Sequence, residues 1–139
     1  MFQYSARPAL LKDRVILVTG AGRGIGAAAA RSFAAHGATV ILLGKTIEHL
    51  EEVYDQIEQA GGPQPAIFPF NLETAQPHQY DELAATIERE FGRLDGLLHN
   101  AAILGPRTPI GIIPFYQSRA AAKWSRTRDK CFGTSFRCV

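Results

Sequence analysis

The chain has 139 residues and a formal net charge of +2, with 46 % hydrophobic and 20 % charged residues, the proportions of an ordinary globular domain and not of a disordered or collagen-like chain. At this size one core is expected, burying roughly two thirds of the unfolded surface. The sequence has no uncharged run long enough to span a bilayer, and its start lacks a basic segment followed by an apolar one, so a cytoplasmic protein with no membrane contact is expected.

The average charge hides an asymmetry. Residues 1–110 carry 9 Lys and Arg against 12 Asp and Glu, whereas residues 111–139 carry 6 basic residues against Asp129 alone. Both cysteines, Cys131 and Cys138, lie in the later part. A boundary is expected near Ile110, separating a folded unit over residues 1–110 from a basic, irregular tail over 111–139.

In chain order, Arg14 to Thr19 is a β-branched run that reads as a first strand. Ile25 to Ala35 is Ala-rich and stops at His36-Gly37, as a helix with a left-handed C′ residue does. Thr39 to Leu43 is apolar on both faces, which suits a strand covered by helices on both sides. A second helix, with Thr46 as its cap, has Ile47, Leu50, Val53, Tyr54 and Ile57 on one stripe and ends at Gly61-Gly62-Pro63. Ala66 to Phe70 is a third strand that Pro69 places at an edge. His78 to Phe91 is a third helix, with Tyr80, Leu83, Ala84, Ile87 and Phe91 on its apolar stripe, and Leu94 to His99 a fourth strand. Alternating strands and helices with right-handed crossovers predict a three-layer α/β fold of the Rossmann type, with parallel sheet order 3-2-1-4.

The segment Thr19-Gly20-Ala21-Gly22-Arg23-Gly24-Ile25-Gly26 joins the first strand to the first helix. In that setting glycines let the backbone turn tightly and approach a pyrophosphate, which the helix N-terminus attracts with unpaired N–H groups. The pattern Thr19, Gly20, Gly24, Gly26 resembles the cofactor motif of the short-chain dehydrogenase/reductase family. A second motif of that family, N-x-A-G, appears in altered form as His99-Asn100-Ala101-Ala102. The segments Leu11 to Gly20 and Leu98 to Asn100 are most similar to its YciK-like bacterial branch, and the resemblance covers about residues 10–108. It implies a nicotinamide dinucleotide cofactor and an oxidoreductase that moves a hydride between carbonyl and alcohol.

The cofactor type follows from charge. No Asp or Glu lies between Asp13 and Glu48, so the second strand ends without the carboxylate that would bind both ribose hydroxyls of NAD. Arg23 and Lys45 stand instead where a 2′-phosphate needs cations, which favours NADP over NAD. Asn71 and Leu72 follow the third strand where the family has Asp-Leu or Asp-Val; there Asn71 can offer an oxygen to the adenine amino group or serve as a turn residue. The resemblance further implies that Ile25, Asn100 and Ala101 border the cofactor and that Asn100 also steadies the central strands.

Catalysis in this family resembles proton donation by a Tyr assisted by a Lys four residues later, with a Ser on the substrate oxygen. Four residues after Tyr4, Tyr54, Tyr80 and Tyr116 stand Pro8, Glu58, Ala84 and Ala120, so no tyrosine has that Lys. Tyr116 and Lys123 are seven apart, and Ser118 beside them does not restore the pattern. The charge reversal, late cysteines and lost periodicity begin together, as in a truncated product with a shifted reading frame; exposure of the fourth strand then favours self-association. Two other functions stay open. One is a non-catalytic NADP-binding or sensing module; the other, weaker, is contact with nucleic acid through Arg119, Lys123, Arg126, Arg128, Lys130 and Arg137. No metal site is expected: the cysteine spacing fits none, and His36, His49, His78 and His99 are scattered over separate segments.

Overall fold

A computed structural model describes residues 6, 7 and 9–102. The tail, Tyr4, Tyr116, Ser118, Lys123, Cys131 and Cys138 lie outside the described residues. Strand β1 (Val15–Thr19), helix α1 (Gly24–Ala35), β2 (Thr39–Gly44), α2 (Ile47–Gln59), β3 (Ala66–Pro69), α3 (Pro77–Phe91) and β4 (Gly96–Leu98) follow one another along the chain. The strands form a parallel sheet of order β3-β2-β1-β4, as the sequence predicts.

Alternation along β1 and β2 sorts the core into two layers, because successive side chains point to opposite faces. Ile16, Val18, Val40 and Leu42 meet Ala27, Ala30 and Ala34 of α1 and Leu50, Val53 and Ile57 of α2. Val15, Leu17, Ile41 and Leu43 meet Tyr80, Leu83 and Ile87 of α3 on the other face. Both faces are therefore covered by helices, which is why Thr19 is the only buried polar side chain among the described residues. Each fully buried Leu or Ile contributes about 1.5–3 kcal/mol of transfer free energy.

Three details depart from expectation. Thr46 occupies the cap position of α2, but its hydroxyl makes no capping bond; Glu48 in the first turn supplies the favourable charge instead. Helix α3 begins at Pro77, one residue early, because the Gln76 N–H donates to Gln79 Oε1 at 2.7 Å and proline is well placed at the first helical position. Strand β4 has only three residues. Side chains replace its ladder at both ends: the Asp95 carboxylate accepts the Val15 N–H at 2.9 Å before it, and Thr19 Oγ1 accepts the N–H of Asn100 at 3.0 Å and of Ala101 at 3.1 Å after it.

Asp95 is the acid of this lower clamp. It also accepts bonds from Arg14 Nη1 at 2.9 Å and from the Arg93 guanidinium. Burial acts to raise its pKa, but Arg93, the Val15 N–H and Arg14 together outweigh this and lower it from 3.8 to about 2. A carboxylate that is more acidic when folded adds stability above its unfolded pKa, and that stability is lost as pH falls through the interval down to its folded value. Urea midpoints are therefore expected to fall between about pH 4 and pH 2 more steeply for the wild-type chain than for Asp95→Asn. At neutral pH the variant is less stable by about 1–3 kcal/mol. Parallel acid limbs for the two chains contradict the clamp.

Candidate functional site

The cofactor-binding candidates that the sequence singled out stand at or just beyond the carboxyl ends of the four strands, the place where open α/β sheets bind ligands. Thr19 ends β1 and Gly20 follows it, Lys45 follows β2, Asn71 and Leu72 follow β3, and Asn100 and Ala101 follow β4. The Ala21 N–H donates to Leu43 O at 3.1 Å and the Phe70 N–H to Gly44 O at 2.7 Å, which ties the three connecting segments together.

Thr19 and Asn100 form the knot beneath this end. Thr19 is 1 % exposed. Its hydroxyl donates to Leu98 O at 3.2 Å while accepting the two N–H groups already named. Asn100 Nδ2 donates to Thr19 O at 3.2 Å and Gly20 O at 3.3 Å. Thr19 thus shapes the turn from below, with its hydroxyl engaged by protein. Leu72 is half-buried, its side chain packed against the α3-side core.

The glycines of the turn do different work. A Cβ on Gly26 would lie 2.3 Å from Gly20 O and 2.5 Å from Asn100 Nδ2, so this glycine lets α1 close onto the knot. Gly20 and Gly22 are hemmed in by Ala101 and His49 respectively. Gly24 is the exception. It adopts φ +55°, and a Cβ there would meet nothing within 4 Å. Its main chain is bare on the outer side, at the start of a helix whose cap residue Arg23 makes no side-chain capping bond and whose first turn has no acid. Unpaired N–H groups, positive dipole and open space together fit a phosphate.

The surroundings agree. Ile25, in the first turn of α1, is 79 % exposed beside this open main chain. Arg23 and Lys45 are exposed, and neither has an ion-pair partner among the described residues. Asn71 is exposed and its Oδ1 accepts the Glu73 N–H at 3.1 Å, a turn role that leaves one further lone pair. N–H groups suited to one anion and cations suited to a second are therefore present at one end of the sheet. Among the described residues no group of three His, Cys, Asp or Glu could hold a metal ion, and no helix is long and apolar enough to cross a membrane.

Sequence reasoning missed two residues. Asp95 carried a faint signal, a single acid immediately before the apolar Gly96 to Leu98 and matched by Arg14 immediately before β1. His49 carried none, since one histidine on an amphipathic helix looks like any solvated residue.

Comparison with known proteins bears on the family. A family model described as short chain dehydrogenase matches residues 14–135, a span that runs past Ile110 into the basic segment. An uncharacterized oxidoreductase, YciK of Escherichia coli K12, is 46 % identical over 107 residues, covering 77 % of this chain and 42 % of its own length. A short chain dehydrogenase structure from Pseudomonas syringae superposes with a TM-score of 0.83 at 58 % identity, covering 94 % of this chain and 55 % of its own. Another from Shigella flexneri, complexed with NADP, gives a TM-score of 0.79 at 37 % identity over 90 % of this chain and 54 % of its own. The chain thus spans about half the length of the relatives it matches. Sheet order, glycine turn and these matches agree: the chain belongs to the short chain dehydrogenase family, a family of oxidoreductases.

Proposed function

We propose that this chain binds the adenosine and pyrophosphate part of NADP, within an oxidoreductase that moves a hydride between a carbonyl and an alcohol. The observation that carries the reading is the bare main chain at Gly24 above an uncapped helix N-terminus. The N–H groups of residues 22–26 would hold the pyrophosphate, with Ile25 covering one side. Arg23 and Lys45 would hold the 2′-phosphate, Asn71 the adenine edge, and Asn100 with Thr19 would keep the turn in shape. Bound NADP supplies the hydride acceptor or donor. The NADP held by the Shigella relative supports the cofactor class, and the lack of an acid at the end of β2 supports NADP over NAD.

Calorimetric titration of the full chain tests this. The wild type is expected to bind NADP at least tenfold more tightly than NAD, since two charge-assisted contacts to a phosphate are worth about 1.5–3 kcal/mol each. Lys45→Ala and Arg23→Ala are each expected to weaken NADP about tenfold or more while leaving NAD within about twofold. Equal affinities in the wild type, or parallel losses for both dinucleotides in the variants, overturn the assignment.

A second reading is a module that binds NADP without turning it over. Saturable NADP binding with no change in NADPH absorbance in the presence of a carbonyl panel supports it; steady NADPH consumption contradicts it.

A further inference from the structure

We propose that His49 is a third donor to the 2′-phosphate, and so a specificity-determining residue beside Arg23 and Lys45. The proposal rests on the NADP reading above and deepens it.

Three observations meet at this side chain. First, a Cβ on Gly22 would lie 2.8 Å from His49 Cβ and 3.5 Å from His49 C, so the root of His49 is pressed against the residue immediately before Arg23. His49 is also in the first turn of α2, four residues after Lys45. One contact therefore brings a nitrogen heterocycle between the segments that carry both cations. Second, His49 Nδ1 is buried with no hydrogen-bond partner among the described residues. A buried polar atom without a partner is unfavourable, so packing alone would be served better by the aliphatic residues that fill the inward positions Leu50, Val53 and Ile57. Folding does not explain an imidazole here. Third, His49 as a whole is only half-buried, and its Nε2 makes no hydrogen bond among the described residues. A half-buried ring whose Nδ1 has no partner can offer Nε2–H as a single donor.

The ligand class is a phosphate monoester on the adenosine ribose. A ribose hydroxyl offers no charge at that position, so the contact discriminates between the two dinucleotides and adds little to binding shared by both.

The test is calorimetry on the full chain with NADP, NAD and adenosine 2′-phosphate as probes. His49→Leu keeps the bulk and removes the donor; it is expected to weaken NADP and adenosine 2′-phosphate about tenfold and to leave NAD within about twofold. His49→Lys restores a donor and is expected to recover the preference. A merely structural role predicts instead that His49→Leu is harmless, or that all three ligands weaken together with a lowered melting midpoint; either result overturns the proposal. Failure of this inference alone appears as a wild-type preference for NADP that His49→Leu leaves intact. A wild type with no preference for NADP overturns the parent reading and this one with it. Should His49→Leu fail to fold, His49→Gln, which keeps a polar group in the ring's place, is read by the same ratio, and an NAD-like NADP affinity for it counts against the proposal.

Discussion

Gly26→Ala is expected to lose most of the chain's stability along with cofactor binding. The new methyl would stand 2.3 Å from Gly20 O, 2.9 Å from Gly20 C and 2.5 Å from Asn100 Nδ2, and two of these three are backbone atoms that no rotamer change can move. Helix α1 must therefore lift from the end of β1. Overpacking of this kind costs about 1–3 kcal/mol, sometimes more. The two bonds from Asn100 Nδ2 to Thr19 O and Gly20 O go with it, at about 1 kcal/mol each. The sum approaches the lower part of the 5–15 kcal/mol typical of a whole domain. A urea titration should show a much lower midpoint, and NADP binding should fall at least a hundredfold. A variant with wild-type midpoint and affinity would mean that α1 does not close on the knot.

Gly24→Ala is expected to do the reverse, sparing the fold and abolishing binding. The position holds φ +55° with nothing within 4 Å of a Cβ, so no protein atom is displaced. The left-handed backbone costs an Ala about 1–2 kcal/mol relative to glycine, which a domain of ordinary stability survives. The methyl would nevertheless project into the space that a phosphate needs in order to reach the helix N–H groups. We expect a folded chain with a slightly lowered melting midpoint and at least a hundredfold weaker NADP binding. Undiminished affinity would place the pyrophosphate elsewhere. Together the two variants separate glycines that serve packing from the one whose open side serves a ligand.

Sheet order and layer assignment were legible in the sequence because they depend on local period and crossover handedness, both carried by short runs such as Thr39 to Leu43. The glycine turn was legible for the same reason. What could not be read were the contacts joining segments some 80 positions apart, such as Thr19 with Asn100 and Val15 with Asp95. Side-chain bonds at those points end the β4 ladder early, and no periodicity announces them. The glycine pattern likewise could not say which member faces protein and which faces solvent, since that depends on where Asn100 and His49 arrive. Thr46 shows the opposite error: a good capping residue at a real cap position, with the cap bond unmade.

The account stands or falls on where a dinucleotide touches this chain, and amide chemical shifts under NADP titration report that residue by residue. The predicted result is saturable shifts at the N–H groups of residues 22–26, with smaller ones at Lys45, Asn71 and Asn100 and none around Arg14 and Asp95 at the opposite end of the sheet. Shifts confined to that opposite end, or a spectrum that NADP leaves unchanged, would contradict it.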